Sequence, residues 1–189
     1  PFTVSSSSSI SYLPFPFFLA YAAAVLEKDN IDVLLIDAIA EGMNNDEFLE
    51  KIKDYNPDLV VLETSTPSID VDVAMAERLK EELEYQPKIV LSGPHVSVLG
   101  EEVLKENTFI DYVLVGEYEY TLQELVKGND LRNILGLIYR EGSKIRVNPR
   151  RPVIEDLDGL PWPARHFLPI KKYSDAFCGL PTPSLQIWA

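Results

Sequence analysis

Cysteine is nearly absent: Cys178 is the single one in 189 residues. That excludes an internal disulfide framework and a cysteine metal site built from these residues alone, and it suits a reducing, cytoplasmic compartment. Basic residues are scarce too, 17 Lys and Arg against 30 Asp and Glu, for a net charge of −13. Nucleic acid requires clustered positive charge to meet its phosphates, so that partner class is set aside. Long apolar runs are also missing. The longest, residues 15–26, holds about a dozen residues where a membrane-spanning helix takes roughly 20, so no membrane partner is expected. No basic start with a small-residue cleavage site marks a secretory leader. Acid gathers in stretches such as Glu81-Glu82-Leu83-Glu84, the pattern of solvated helix faces.

What the chain does have is a repeated kind of turn. The apolar run Leu59-Val60-Val61-Leu62 passes into Glu63-Thr64-Ser65-Thr66-Pro67-Ser68. The run Ile89-Val90-Leu91 passes into Ser92-Gly93-Pro94-His95, and residues 110–114 pass into Val115-Gly116-Glu117-Tyr118-Glu119. Each run reads as a strand that ends on small or polar residues and is followed by a helix. In an open α/β sheet, ligands bind just outside the carboxyl ends of the strands. Gly93 and Gly116 lack a Cβ, so the backbone there permits close approach. Glu117 and Glu119 fall at a helix start, where the macrodipole favours negative charge.

The whole chain alternates in the same way. A strand remnant at residues 1–4 leads to a serine loop at 5–9 and a helix at 15–28, entered through Pro14 and Pro16. Strands are expected at 31–36, 58–62, 87–91 and 110–115. Helices are expected at 46–55, 71–84, 96–105 and 118–127. Near-continuous apolar strands between amphipathic helices indicate an α/β protein with a Rossmann-like, five-stranded parallel sheet in the flavodoxin-like order. After residue 130 the pattern changes. Segments 134–140 and 144–147 flank Glu141-Gly142-Ser143 as a C-terminal β-hairpin, and residues 148–169, rich in proline and acid, read as an extended surface linker. The expected division is a ligand-binding domain over 1–130, a hairpin appendage over 131–147 and a linker over 148–189. The first residues look like the tail of a strand and the last, Gln186-Ile187-Trp188-Ala189, like a strand cut short, so a longer parent protein is expected.

With these turns placed, the chain resembles the N-terminal cobalamin-binding domain of the cobalamin-dependent radical SAM enzymes. The likeness rests on Pro14-Phe15-Pro16 before the first helix, Asp37 closing a strand, Gly93-Pro94-His95, and Val115-Gly116-Glu117-x-Glu119-x-Thr121-Leu122. The hairpin at 136–140 and the linker Asp156-Leu157-Asp158-Gly159-Leu160-Pro161-Trp162-Pro163-Ala164-Arg165 extend it. The resemblance implies cobalamin as cofactor of this domain. It also implies a partner radical SAM domain that binds a 4Fe-4S cluster through a three-cysteine motif, together with S-adenosylmethionine. In the family that motif follows a segment similar to Ser184-Leu185-Gln186-Ile187-Trp188-Ala189, and Cys178 does not match it. The full protein would transfer a methyl group or carry out a related radical rearrangement or cyclisation. These 189 residues hold no acid–base pair, nucleophile–base pair or cluster-ligand set, so they are not expected to be catalytic by themselves.

On this reading Thr64, Ser65 and Ser68 supply hydroxyls to cobalamin, and Gly93 and Gly116 allow its close approach. Pro94, His95, Glu117 and Tyr118 line the rim. Turn and capping work accounts for the same hydroxyls equally well. Three departures from the family stand out: Ser92 replaces a first glycine, Tyr118 replaces a glycine between the two glutamates, and the serine loop replaces an Asn-Pro-Pro-like turn. Tyr118 puts a large ring beside the expected pocket, to stack on the corrin or to obstruct it. Other cobalamin modules take a cobalt-binding histidine from an Asp-x-His-x-x-Gly motif. The nearest match, Asp37-Ala38-Ile39-Ala40-Glu41-Gly42, has Ile39 at the histidine position. Hence no protein histidine is expected on the cobalt, and His95 is assigned a structural or amide-contacting role. His166 is expected to be solvated or packed, and Trp162 and Trp188 to pin the linker. The alternatives are a flavodoxin-like flavin module and a degenerate domain that docks without binding. A phosphorelay receiver is set aside because Glu63-Thr64 and Gly116 stand where an aspartate and a lysine are needed.

Overall fold

The computed structural model describes residues 12–175 and 180–185. The expectations for residues 1–4, for the serine loop at 5–9, and for Cys178 and Trp188 lie outside the described residues. In chain order the elements begin with β1 (Tyr12–Leu13), α1 (Phe17–Lys28), α2 (Ala38–Glu41), α3 (Asn45–Tyr55) and β2 (Leu59–Glu63). They continue with α4 (Ile69–Glu82), β3 (Lys88–Ser92), α5 (Val96–Glu106), β4 (Tyr112–Leu114) and α6 (Glu119–Val126). β5 (Leu137–Glu141), β6 (Lys144–Val147) and β7 (Ser174–Asp175) follow. The chain divides into two units, Leu49–Glu155 and Pro1–Phe48 with Asp156–Ala189.

The larger unit is an α/β layer structure around a five-stranded sheet of order β2-β3-β4-β5-β6. β2, β3 and β4 run parallel, with Glu63 opposite Ser92 and Leu91 opposite Val113. Parallel strands covered on both faces read as unbroken apolar runs, and Ile89, Val90, Leu91, Val113 and Leu114 are wholly buried. The helices bury apolar stripes against this sheet through Ala76 and Leu79 of α4, Val103 and Leu104 of α5, and Leu122 and Leu125 of α6. At Gly100 of α5 a Cβ would come within 2.7 Å of Val113 Cγ1 and 3.0 Å of Ile138 Cδ1, so only a residue without a side chain lets the helix lie this close to the sheet. One residue earlier, Leu99 leaves helical geometry (φ −110°, ψ 18°) and kinks the helix.

An α/β sheet of five strands is what the sequence pattern calls for, but two of its members differ. The hairpin β5–β6 is paired to the sheet, with Val113 opposite Ile138 in antiparallel register, and Leu137, Ile138 and Tyr139 are buried there. The sheet is therefore mixed rather than all parallel. Residues 31–36 form no ladder among the described residues; Leu35 is buried and Val33 packs beside it in the core of the smaller unit. An apolar run of this length is equally able to serve as a packed irregular segment, which is why periodicity alone misassigns it.

That smaller unit is built on α1. Its alanines, Ala20, Ala23 and Ala24, present a low surface against which Phe15, Leu35, Ala164, Leu168 and Tyr173 pack. Ala164 N–H donates to the Ala20 carbonyl at 2.9 Å. Tyr173 meets Phe15 edge-on at 5.3 Å and donates its hydroxyl to Asp37 Oδ2 at 3.0 Å, while Asp37 Oδ1 caps α2 through Ala40 N–H. The proline-rich stretch after residue 148 is thus not simply a surface linker, because from Ala164 onward it supplies core. Nor does Trp162 pin it, being 80% exposed. His166 is exposed and lies 3.0 Å from Glu27 Oε1.

Candidate functional site

Three turns leave the carboxyl ends of β2, β3 and β4. In the first, Thr64 is buried, and both its N–H (2.7 Å) and its hydroxyl (3.0 Å) donate to the Ser92 carbonyl. Ser65 and Ser68 face each other across 2.9 Å, Ser65 N–H donates to Ser68 Oγ, and Ser68 donates to Asp72 Oδ2 at 2.7 Å. These hydroxyls are engaged in closing the turn and opening α4, the local work that Ser and Thr do best.

The second turn depends on Gly93. Its φ is +106°, and a Cβ there would sit 2.3 Å from the Thr64 carbonyl oxygen, a backbone atom with nowhere to move. The first two turns are therefore in direct backbone contact. Pro94 beyond it is exposed, and His95 is partly exposed with Nδ1 3.3 Å from Thr66 Oγ1. Ser97, in the first turn of α5, donates its hydroxyl to Gly93 O at 2.8 Å, and its carbonyl accepts from Arg150 at 3.0 Å.

In the third turn Gly116 is exposed with φ +76°, and nothing lies within 4 Å of a Cβ built on it. Its N–H donates to Ser97 Oγ at 3.0 Å. Glu117 Oε2 accepts from Ile154 N–H at 2.6 Å, which fastens the segment after the hairpin to this turn. Arg151 fastens it again, through Thr121 Oγ1 at 2.9 Å and the Glu124 carboxylate at 2.5 Å. Tyr118 is 1% exposed. Its ring lies inside the unit and not on the rim.

The site residues read from the sequence thus fall into three groups. Gly116, Pro94 and His95 reach the surface. Thr64, Ser68, Gly93 and Tyr118 are buried supports, and Ser65 and Glu117 are occupied in holding turns. Beneath them lies a polar patch that the turn pattern did not single out. Ser92 Oγ, Tyr118 Oη and Glu119 Oε2 are all buried and have no hydrogen-bond partner. Burial pushes the Glu63 carboxyl up to about 7, with the Glu119 charge adding to the rise. Glu119 itself is raised by burial, and Tyr118 is raised far above the ordinary phenol range by burial and by the Glu63 charge. The Ser92 hydroxyl is near enough to oppose that rise without reaching hydrogen-bond geometry. Glu63 and Glu119 were visible only as ordinary acids in the sequence, and Ser97 as an ordinary helix residue. Its spacing of four residues from Gly93, which allows back-bonding to that carbonyl, was the available signal.

The B12 binding domain family model matches residues 8–126, more than half of the chain. The chain belongs to the B12-binding domain family. Among curated relatives, an uncharacterized methyltransferase of Pyrococcus horikoshii is 36% identical over 84% of this chain and 35% of its own length. An anaerobic magnesium-protoporphyrin IX monomethyl ester cyclase of Cereibacter sphaeroides is 32% identical over 77% of this chain and 25% of its own. The chain therefore spans about a third or less of these relatives. Two solved structures share the fold. One is the cobalamin-dependent S-adenosylmethionine radical enzyme OxsB with aqua-cobalamin and S-adenosylmethionine bound (TM-score 0.71, 18% identity, 81% of this chain and 22% of that one). The other is the radical S-adenosylmethionine methyltransferase TsrM of Kitasatospora setae with cobalamin and a 4Fe-4S cluster bound (TM-score 0.61, 18% identity, 80% and 29%). The family match decides for cobalamin over the flavin alternative.

The carboxyl edge of this B12-binding domain has features that suit such a cofactor. A broad, mostly apolar cleft with a few polar contacts is what a large ligand of this type requires. Gly116 offers backbone with free space above it. Val71 in the first turn of α4, and Val98 and Leu99 in the first turn of α5, are exposed apolar residues beside the turns. Among the described residues no helix is long and apolar enough to cross a membrane.

Proposed function

We propose that this B12-binding domain holds cobalamin for a larger radical SAM enzyme, in which a methyl group is transferred or a related radical step such as a cyclisation takes place. A methyltransferase and a cyclase among the relatives, each roughly three to four times the length matched here, support that reading. So does the likeness of fold to two enzymes solved with cobalamin. The 4Fe-4S cluster and S-adenosylmethionine belong, on this proposal, to a radical SAM domain of the same polypeptide working in the cytoplasm. Domain limits of 1–130, 131–147 and 148–189 are proposed with it.

The single observation that carries the proposal for this chain is the exposed, unobstructed backbone of Gly116 beside Pro94, His95 and an apolar rim. Bound cobalamin supplies a cobalt centre able to carry a methyl group. The residues present do the holding. Gly116, Pro94 and His95 form the contacting rim, and Thr64, Ser65, Ser68, Gly93, Glu117 and Tyr118 support it from below. His95, within reach of Thr66 Oγ1, serves the rim rather than the metal.

Incubating the 189-residue chain with hydroxocobalamin and then dialysing it tests the reading. The expected outcome is retention of about one equivalent, with flavin mononucleotide washed out and with His95→Ala leaving the visible spectrum of the retained cofactor unchanged. A colourless protein after dialysis would show a domain that docks without binding. A spectrum altered by His95→Ala would put imidazole on the cobalt.

A further inference from the structure

We propose that Ser97 is a positioning residue that sets the separation of the two glycine turns at the cobalamin edge; the inference rests on the cobalamin reading above. The Ser97 hydroxyl is both donor and acceptor. It donates to Gly93 O at 2.8 Å and accepts at 3.0 Å from the N–H of Gly116, 19 residues further along the chain, so it bridges the two glycine turns. A hydroxyl is the smallest group that performs both roles at once.

The bridge completes a chain of constraints. The first turn fixes the second, because the Thr64 N–H and hydroxyl hold the Ser92 carbonyl and the Gly93 Cα rests on the Thr64 backbone. Ser97 then passes that placement to the third turn, whose Gly116 has open space where a Cβ would stand and so has no packing there to hold it. Arg150, bound to the Ser97 carbonyl at 3.0 Å, ties the segment after the hairpin to the same residue. Gly116 is the rim position where backbone approaches the cofactor, and Ser97 decides how far that backbone stands from Gly93. A back-bonded serine in a first helical turn is usually a local matter. Here the acceptor side of its oxygen is committed to another loop, which local helix chemistry does not require.

The test uses the 189-residue chain as wild type, Ser97→Ala and Ser97→Thr, with three readouts: cobalamin affinity, amide exchange at Gly116, and melting midpoint. For Ser97→Ala, loss of one hydrogen bond on each side predicts about tenfold faster exchange at Gly116 and about tenfold weaker cobalamin binding. Ser97→Thr, which keeps the hydroxyl, is expected to restore both to within about threefold of wild type. Unchanged exchange at Gly116 in Ser97→Ala overturns the bridge, whether or not cobalamin binds. Faster exchange with unchanged affinity, or a lower melting midpoint with unchanged affinity, reduces Ser97 to a structural residue and overturns its positioning role. Equal weakening in the alanine and threonine variants assigns the effect to packing and also overturns it. Wild type that takes up no cobalamin defeats the cofactor reading, while the exchange arm still judges the bridge.

Discussion

Glu63 ends β2 with its carboxyl partly buried and its pKa pushed up from 4.5 to about 7, first by burial and then by Glu119. A carboxyl whose folded value lies above its unfolded one favours the folded state while protonated. Its contribution is complete below pH 4.5 and is lost as pH rises through about 7. The span corresponds to about 3 kcal/mol at most. Glu63→Gln removes this slope, so the variant is expected to match wild type near pH 4.5 and exceed it above pH 7. Urea midpoints at pH 5 and pH 8 measure the difference, and parallel pH slopes in the two proteins would contradict it. The two turn glycines separate fold from binding at the same scale. Gly93→Ala drives a Cβ to 2.3 Å from a backbone oxygen at φ +106°, so a loss on the order of 3 kcal/mol is expected. Gly116→Ala has free space and only the left-handed strain of about 1 kcal/mol. It is expected to fold and to bind cobalamin about tenfold less tightly, and undiminished affinity would place the ligand away from that backbone.

At the scale of elements, α5 shows how a helix and a sheet define each other's position. Gly100 faces Val113 and Ile138 with no room for a side chain. Gly100→Val is expected to lower stability by about 3 kcal/mol through overpacking, read as a fall in the urea midpoint without change in slope. The parallel strands were legible because their central residues are apolar runs, most fully buried in β3, leaving turn residues as clear stops. The pairing of the hairpin to β4 was not legible. Nothing in Leu137-Ile138-Tyr139 says which strand it will meet, since antiparallel pairing is chosen by contacts far apart in sequence. The same holds for residues 31–36, where an apolar run without described strand partners becomes packing for α1. Ala164 and Leu168 sit in a proline-rich stretch whose composition signals a loop, yet both join the core against the low alanine face of α1.

For the whole molecule, the order of weak motifs told more than any one of them. Gly93-Pro94-His95 and Gly116-Glu117-x-Glu119 lie within the span, residues 8–126, that the B12-binding family model matches. What the pattern could not reveal was the division of labour among those residues. Tyr118 turns inward, Glu117 holds the Ile154 amide, and the serines close their own turn. Each of these outcomes depends on tertiary neighbours, and a residue type alone does not carry them. One feature at the opposite side of the sheet bears on how copies of the chain behave in a crowded solution. β6, the last strand of the described sheet, is short and carries Lys144 and Arg146, the latter paired with Glu141 at 2.7 Å. A short border strand carrying a lysine is a poor template for another strand, so growth of the sheet by stacking one molecule beside another is discouraged there.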